Sequence, residues 1–318
     1  MKDIIIVGKG KAGKLHFKSY KKINEVGKIY FVDKNKSYKK NVYKSVNELL
    51  GEKKLDKENV IVDICTPKEE FYDVINECIV LGIKNIIVEK PFIISKEFID
   101  ENPKLNIIMV QNYLYSKIIN EIKSKVKEEK LKIKFVYTNF SKNRKKDSKK
   151  RRGISYKTTN NFEIEIPHQI YLVEYILGKT RKKEIIYKEQ KDFEEKNIIL
   201  KKHGYGKIIM NYDSITVIHE SDLITNNCIK EITLICEEGV VIKGEFILYN
   251  EELDKIKNGR IIVINKQKII WEKEITEDDN MYFCLKEYYE ALNNNNNINN
   301  KYEKRLLEFS NIFKKLIE

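Results

Sequence analysis

Three glycines within six residues constrain the fold of this chain more than any other feature. They follow an apolar run and precede a stretch with helical spacing, which places them at a turn from a strand into a helix. In such a turn the first glycine allows the bend, the second leaves room for a phosphate and the third lets helix and strand pack closely. The turn formed by Gly8, Gly10 and Gly13, with Lys11 and Ala12 at the start of the helix, therefore predicts a site for a dinucleotide pyrophosphate.

An acidic residue follows at the distance that this kind of site requires. Asp33 lies 20 residues after the third glycine, directly behind a second predicted strand at residues 28–32. A carboxylate at this place accepts hydrogen bonds from an adenosine ribose, and its charge disfavours a 2′-phosphate. The sequence therefore favours NAD, while Lys34, Lys36 and Ser37, just after Asp33, leave NADP open.

Short apolar strands alternate with helical stretches over the first hundred or so residues, which predicts a parallel sheet with helices on both faces. Three polar clusters follow strands of this region, and they are Thr66-Pro67, Glu89-Lys90-Pro91 and Gln111-Asn112-Tyr113. Ligands of such sheets bind outside the carboxyl ends of the strands. We therefore expect cofactor contacts from Thr66, Pro67, Glu89, Lys90 and Asn112.

From about residue 118 the pattern changes to successive strands joined by short turns, which predicts a large, mainly antiparallel sheet. We expect a Rossmann domain over residues 1–117 and a second domain, built on this open sheet, over residues 118–318. The fold class is thus α/β followed by α+β. Because one face of an open sheet usually needs a partner, a homodimer or homotetramer is expected.

The chain carries a formal net charge of +13, which raises the question of a nucleic-acid partner. Aromatic residues do not interleave with the most basic segment, residues 142–152, and no recognition helix stands out, so no nucleic acid is expected. Lysine, isoleucine and asparagine are all abundant, and all three have A/T-rich codons. The composition of the genome therefore accounts for much of the lysine, and we expect most of these side chains to lie on a solvated surface. The basic segment leaves two interpretations open: a flexible charged loop, or a contact for a phosphorylated or nucleotide-linked substrate.

No apolar run approaches the ~18 residues that span a bilayer, and the N-terminus enters a strand at once without the features of a signal peptide. A cytoplasmic protein without membrane contact is therefore expected. The five cysteines are widely spread and form no C-x-x-C pair. We expect them to be reduced and mostly buried, and we expect neither disulfides nor a metal site.

Together these motifs resemble the Gfo/Idh/MocA family, named after glucose-fructose oxidoreductase and inositol dehydrogenase, over nearly the whole chain. The resemblance rests on the glycine turn followed by His16, on Asp33, Thr66-Pro67 and Glu89-Lys90-Pro91, and on His168 in a helix that ends at Leu177-Gly178. The combination is more specific than any single motif. It implies an NAD- or NADP-dependent enzyme that moves a hydride to or from a carbon bearing a hydroxyl, usually on a sugar, a cyclitol or a related small molecule.

The resemblance also implies the catalytic residues. Lys90 would touch the substrate oxygen and the nicotinamide ribose, with Pro91 fixing the turn that directs it. Alcohol oxidation needs a group that takes the hydroxyl proton, and ketone reduction needs the same group to return it, for which His168 is the candidate. Taken alone, Lys90 is a surface lysine and His168 a hydrogen-bonded residue at a helix start. The surrounding motifs favour the catalytic interpretation.

The sequence departs from the family near His168. Family members carry an aspartate four residues before this histidine and another three residues after it, where this chain has Ile164 and Tyr171. Glu165, at the predicted helix N-terminus, is the candidate replacement for the first aspartate, because the helix dipole stabilises a carboxylate there. Tyr171, one turn after His168, leaves two interpretations open, donation to the substrate or packing in the core, and we expect the core. Phe71 stands where the family has a histidine after Thr-Pro.

These departures leave three functions open. The first is an NAD(P)-dependent oxidoreductase that acts on a hydroxyl or keto carbon of a small, sugar-like substrate, with or without a phosphate or a linked nucleotide. The second is a reductase of imines or non-sugar ketones, which the altered helix favours. The third is a dinucleotide-binding regulator without turnover, against which the presence of both Lys90 and His168 argues.

Overall fold

The chain folds into two compact units. The computed structural model describes residues 1–35, 42–144, 160–178, 182–195, 198–247, 258–294 and 299–318. The first unit comprises Met1–Asn112 and Met281–Lys314, and the second comprises Tyr113–Asn280 and Lys315–Glu318. In the described ranges, no helix is both long and apolar enough to cross a membrane.

A parallel sheet forms the centre of the first unit, as the alternating pattern predicts. Its strands are β1 (Asp3–Val7), β2 (Ile29–Val32), β3 (Val42–Tyr43), β4 (Val60–Ile64), β5 (Asn85–Val88) and β6 (Asn106–Met109). In the described part of the chain these six strands lie in the order β3-β2-β1-β4-β5-β6, and all neighbours are parallel. Every residue of β4 and β5 is buried, which explains why these segments are almost continuous aliphatic runs.

Short helices connect the strands of this sheet. They are α1 (Lys11–Tyr20), α2 (Val46–Lys53), α3 (Phe71–Leu81) and α4 (Lys96–Glu101). Ser45 and Ser95 cap α2 and α4, since each hydroxyl accepts a hydrogen bond from a backbone N–H of the first helical turn. Gly82, with a φ of +76°, ends α3 in the left-handed conformation that glycine adopts readily.

A second sheet, mainly antiparallel, forms the other unit. Its strands are β7 (Ile133–Ser141), β8 (Lys183–Gln190), β11 (Tyr205–Tyr212), β12 (Ile215–Asp222), β13 (Ile229–Cys236), β14 (Val240–Ile247), β15 (Asn258–Asn265) and β16 (Lys268–Ile275), while β9 (Phe193–Glu195) and β10 (Ile198–Leu200) form a separate pair. The order within the described residues is β16-β15-β14-β13-β7-β12-β11-β8, with β7 and β12 as the parallel neighbours. The predicted fold class is confirmed.

Helices cover one face of this second sheet. They are α5 (Lys117–Glu128), α6 (Asn161–Ile164) and α7 (Ile166–Leu177). Helix α5 packs directly on β14 and β15, because a Cβ on Gly244 would lie 2.6 Å from Ile122 Cδ1 and one on Gly259 would overlap Ile118. Helix α7 packs on β7 and β12, so the strands beneath it position the helix that carries His168.

The structure differs from the sequence-based division at the C-terminus. Helices α8 (Asn280–Asn293) and α9 (Lys304–Ile317) were expected within the domain of residues 118–318, but residues 281–314 belong to the first unit. Tyr288 OH donates a hydrogen bond to the carbonyl oxygen of Met109 at 3.2 Å, and Ile94 N donates to Ser310 Oγ at 3.0 Å. The helices return to the parallel sheet because their buried aromatic faces pack against it.

The cysteines agree with the sequence-based expectation. Cys65, Cys78, Cys236 and Cys284 are buried, Cys228 is exposed, and none of the five forms a disulfide. A buried unpaired cysteine behaves as a small apolar residue.

Candidate functional site

Gly8 and Gly10 lie between β1 and α1, Gly13 lies in the first turn of α1, and each of the three meets a different structural environment. Gly8 has a φ of +100°, and a Cβ there would lie 2.8 Å from the carbonyl oxygen of Cys65. A Cβ on Gly13 would overlap the carbonyl oxygen of Gly8, so helix and strand pack at a distance that only glycine allows. Gly10 is the N-cap of α1, and no atom of the described residues lies within 4 Å of the Cβ that another residue would place there. The turn thus leaves open the space that a pyrophosphate needs at the helix N-terminus.

Asp33 is tied to the same turn. Its Oδ2 accepts a hydrogen bond from Lys9 N at 3.0 Å, and its Oδ1 accepts one from Asn35 N at 2.9 Å. Lys11 and Ala12 form the first turn of α1, where backbone N–H groups have no partner within the helix. The carboxylate of Asp33 is therefore hydrogen-bonded to the segment that leads directly into the predicted anion-binding amides at the start of α1.

The basic residues that the sequence analysis singles out are described only in part. Lys34 Nζ pairs with Glu70 Oε1 at 2.6 Å and is 65% exposed. Lys36, Ser37 and most of the basic segment, residues 145–152, lie outside the described residues.

Two further predicted cofactor contacts follow strand ends. Thr66 and Pro67 come after β4, and Thr66 Oγ1 is buried with no hydrogen-bond partner among the described residues. Because buried hydroxyls are nearly always satisfied, a ligand group is a reasonable partner for it. Asn112 is buried at the start of a short turn after β6. Phe71, which stands in place of the family histidine, is buried and packs edge-on against Phe92.

The Glu89-Lys90-Pro91 cluster follows β5, and its backbone is held by hydrogen bonds. Glu89 Oε2 accepts from Lys90 N at 3.0 Å, and Glu89 Oε1 lies 2.9 Å from His16 Nε2, which donates to it. The peptide bond between Lys90 and Pro91 is cis, and the Lys90 side chain is half-buried. The backbone of Lys90, the residue expected to touch the substrate, is thus held by a carboxylate that His16 fixes in place.

His16 lies between two carboxylates in the interior of the first unit. Its Nδ1 is 2.8 Å from Asp63 Oδ2, and both side chains are fully buried. Burial lowers the pKa of His16, but the charge of Asp63 and its hydrogen bond, together with the contribution of Cys65, outweigh this effect and raise the pKa well above its usual value. Burial likewise opposes the ionisation of Glu89, yet the hydrogen bond and charge of His16 hold the pKa of Glu89 below its usual value. His16 is therefore an imidazolium that joins β4 to the end of β5.

Asp63 was missed by the sequence analysis. Its signal was an acid inside the aliphatic run of residues 60–64, since a carboxylate in a buried strand needs a partner. In the described part of the chain, His16, Asp63 and Cys65 have the spacing of metal ligands. However, burial and the charge of Asp63 raise the pKa of Cys65 to about 12, and His16 is protonated, so both hold protons where a metal needs electron pairs. The absence of a metal site stays a prediction.

Helix α7 carries His168 in its first turn, beside Pro167. His168 Nδ1 lies 2.7 Å from Tyr171 OH, and its ring meets the ring of Tyr113 edge-on with centroids 5.0 Å apart. Tyr171 is 2% exposed, which confirms its predicted place in the core. The same residue also contacts the proposed acid-base group, which the sequence analysis did not anticipate.

Glu165 is the N-cap of α7, where the sequence placed it, but its carboxylate is engaged by two cations. Only 1% of its side chain is exposed, and its oxygens lie 2.6 Å from Arg144 Nη2 and 3.3 Å from Lys230 Nζ. Lys230 Nζ also donates to Tyr113 OH at 2.8 Å. Burial lowers the pKa of Lys230, but Glu165 and Tyr113 raise it by more, so the pKa of Lys230 is above its usual value. Glu165 therefore serves as the counter-ion of a buried cationic pair.

The fold and these positions permit a comparison with known proteins. No protein-family model and no curated protein sequence matches the chain. A solved structure of a variant of KijD10, a 3-ketoreductase from Actinomadura kijaniata in complex with TDP-benzene and NADP, matches with a TM-score of 0.75 at 8% identity, covering 98% of this chain and 96% of that one. GenD2 from gentamicin A biosynthesis, in complex with NAD, matches with a TM-score of 0.73 at 12% identity, covering 98% and 92%.

A third match is the UDP-N-acetylglucosamine 3-dehydrogenase GnnA from Acidithiobacillus ferrooxidans, with a TM-score of 0.71 at 12% identity, covering 98% of this chain and 95% of that one. The fold is the one that these enzymes share. At such identities the likeness shows the fold alone, and it agrees with the architecture that the sequence resemblance implied.

Proposed function

We propose that the protein is an NAD(P)-dependent oxidoreductase of the Gfo/Idh/MocA type. The open space beside Gly10 carries the proposal, because the fold requires glycine at Gly8 and Gly13, whereas no described residue occupies the space that Gly10 leaves. Two further observations support it: the carboxylate of Asp33 is hydrogen-bonded to the same turn, and the hydroxyl of Thr66 has no partner among the residues that the structure describes. NAD or NADP bound there supplies the carbon that gives or takes a hydride.

The proposed reaction moves a hydride to or from a hydroxyl or keto carbon of a sugar-like substrate. Lys90 binds the substrate oxygen, and its charge stabilises the negative charge that develops there. His168 takes the hydroxyl proton in oxidation and returns it in reduction. Two contacts support these roles, since Glu89 holds the backbone of Lys90 and Tyr171 holds the imidazole of His168.

A nucleotide-linked or phosphorylated substrate is our preferred class. The KijD10 structure contains TDP-benzene, and GnnA is named for a nucleotide sugar. In this chain the basic segment of residues 142–152 begins directly after β7, which supports a contact with phosphate.

Reduction of an imine or a non-sugar ketone is the second candidate, because Ile164 and Tyr171 replace both family aspartates around His168. A panel of ketone, imine and nucleotide-sugar substrates with NADH and NADPH distinguishes the two enzymes. Oxidation of NADH with any of them excludes a regulator without turnover.

We also propose a homodimer or homotetramer. The sheet face opposite α5 and α7 is partly exposed and carries Tyr137, Tyr205 and Lys207 around the carboxylate of Glu220. Large side chains on one face of an open sheet support a partner at that face.

Gly10→Val should bind NADH about 10- to 100-fold more weakly while the protein keeps its fold. The backbone at residue 10 has a φ of −74° and a ψ of −161°, which valine adopts, and a Cβ there meets no atom within 4 Å. The added methyl groups instead fill the space of the pyrophosphate. Fluorescence titration with NADH and thermal unfolding measure the two properties.

Gly51→Val is the matched control, since Gly51 lies in α2 and a Cβ there also meets no atom within 4 Å. It should leave NADH binding unchanged. Gly13→Val should impair folding, because its Cβ overlaps the carbonyl oxygen of Gly8. An NADH titration that is identical for Gly10→Val and the wild type would disprove the cofactor site.

Asp33→Ser should shift the ratio of NADPH to NADH affinity toward NADPH by about tenfold, because it removes a charge that repels a 2′-phosphate. Asp33→Asn separates the charge from the loop geometry, since its amide oxygen still accepts a hydrogen bond from Lys9 N. Both variants should therefore show the shift. An unchanged ratio in both would mean that Asp33 does not face the ribose.

A further inference from the structure

Tyr171 occupies a place that core packing alone does not explain. It lies one turn after His168 on α7, and the two rings meet nearly at right angles with centroids 5.6 Å apart. Its hydroxyl lies 2.7 Å from His168 Nδ1, within the range of a strong hydrogen bond between oxygen and nitrogen. The hydroxyl of a buried tyrosine is thus hydrogen-bonded to Nδ1, one particular nitrogen of the proposed acid-base group.

A second hydrogen bond fixes the same hydroxyl. Tyr113 N donates to the oxygen of Tyr171 at 3.3 Å, and the ring of Tyr113 meets the imidazole edge-on. The hydroxyl oxygen of Tyr171 therefore already accepts one hydrogen bond from the backbone. This arrangement directs the hydroxyl hydrogen of Tyr171 away from Tyr113 and toward Nδ1.

The relative acidities of the two groups set the direction of the hydrogen bond. A phenol, with a reference pKa of about 10, is a far stronger acid than the N–H of a neutral imidazole, and the imidazole lone pair is the stronger acceptor. The hydroxyl consequently donates to Nδ1. In a neutral imidazole the proton then resides on the other nitrogen, Nε2.

We propose that Tyr171 is a positioning residue that holds neutral His168 in the tautomer with its proton on Nε2. This inference rests on the proposed function of His168 as the acid-base group. It implies that the resting tautomer is the one from which reduction of a carbonyl starts, with His168 as proton donor, whereas oxidation of an alcohol starts from the reverse state, with the proton on Nδ1. Oxidation would require a lone pair on the nitrogen that faces the substrate.

The reductive step balances with these residues. A bound reduced nicotinamide would supply the hydride to the carbonyl carbon, and Nε2 of His168 would give its proton to the carbonyl oxygen. Nδ1 takes the proton of Tyr171 in the same step, so the imidazole stays neutral. The phenolate that would remain would accept hydrogen bonds from Nδ1–H and from Tyr113 N. Because Tyr171 is buried, its proton would return through the imidazole: Nε2 would take a proton from water after the product leaves, and Nδ1 would give its proton back to the phenolate.

Nitrogen-15 NMR of the full chain, labelled only at histidine, tests the tautomer without cofactor or substrate. The chain has four histidines, so the spectrum is simple, and His168→Gln identifies the signals of His168. At about pH 8.5, well above the ordinary histidine pKa, we expect His168 Nδ1 unprotonated and Nε2 protonated. A protonated Nδ1 in the wild type overturns the proposal.

Tyr171→Phe and Tyr175→Phe form the matched pair. Tyr175 lies on the same helix and its hydroxyl donates to Asn120 Oδ1 at 2.7 Å, so its removal also costs one hydrogen bond but none to His168. In Tyr171→Phe the Nδ1 signal should move, because the lone pair loses its donor and the Nδ1–H form gains population, whereas Tyr175→Phe should leave it in place. An Nδ1 signal that is the same in Tyr171→Phe and the wild type overturns the proposal. Because no turnover is measured, that failure differs from a failure of the proposed function.

Discussion

Replacing Lys90 or His168 by alanine should lower turnover by about 10²-fold or more and leave the fold intact. Alanine at residue 90 removes the charge beside the developing oxyanion, and alanine at residue 168 removes the proton donor, each of which contributes on this scale. Both side chains are half-buried, so their truncation opens no cavity in the core. Oxidation of NADH with a ketone substrate measures turnover, and thermal unfolding measures the fold.

Lys96→Ala is the control for the loss of a lysine from the first unit. Lys96 is exposed and its Nζ pairs with Asp100 at 2.7 Å, so its removal should change neither turnover nor the unfolding midpoint. Full turnover in Lys90→Ala would remove that residue from the proposed chemistry. Full turnover in His168→Ala would do the same for the proton transfer.

The parallel sheet and its glycine turn are predictable from the sequence because their determinants are local. A strand that is buried on both faces has a short aliphatic run as its sequence. The three glycines reflect steric requirements within a single turn. The polar residues after β4, β5 and β6 follow from the same reasoning, since ligands of parallel sheets bind at the carboxyl ends of strands.

Contacts between distant segments are not predictable in this way. His16 and Asp63 are 47 residues apart, Lys230 and Glu165 are 65 apart, and the hydrogen bond between Lys2 and Tyr289 spans 287 residues. Each contact depends on which elements the fold brings together. The hydrophobic spacing within one segment does not contain this information. For this reason the C-terminal helices were assigned to the other unit, and the partners of Glu165 were missed.

Glu165→Gln should lower the free energy of unfolding by about 3 kcal/mol, the scale on which an uncompensated buried charge destabilises a protein. The glutamine keeps the shape of the side chain but leaves Arg144 and Lys230 close together without their carboxylate. Glu163→Gln is the matched control, because its amide oxygen still accepts the hydrogen bond that Asn160 N donates to Glu163 Oε2 at 2.9 Å. Urea unfolding should separate the two variants clearly.

A direct catalytic role of Glu165 predicts the opposite result: lower turnover in Glu165→Gln with an unchanged urea midpoint. The double variant Glu165→Gln/Lys230→Met tests the cause of the expected destabilisation. If the repulsion between Lys230 and Arg144 causes it, removing the lysine charge relieves it, and the double variant loses less stability than the two single variants together by about 0.5 to 3 kcal/mol. Losses that simply add would show that the carboxylate and Lys230 stabilise the protein independently, and the counter-ion role of Glu165 would then be wrong.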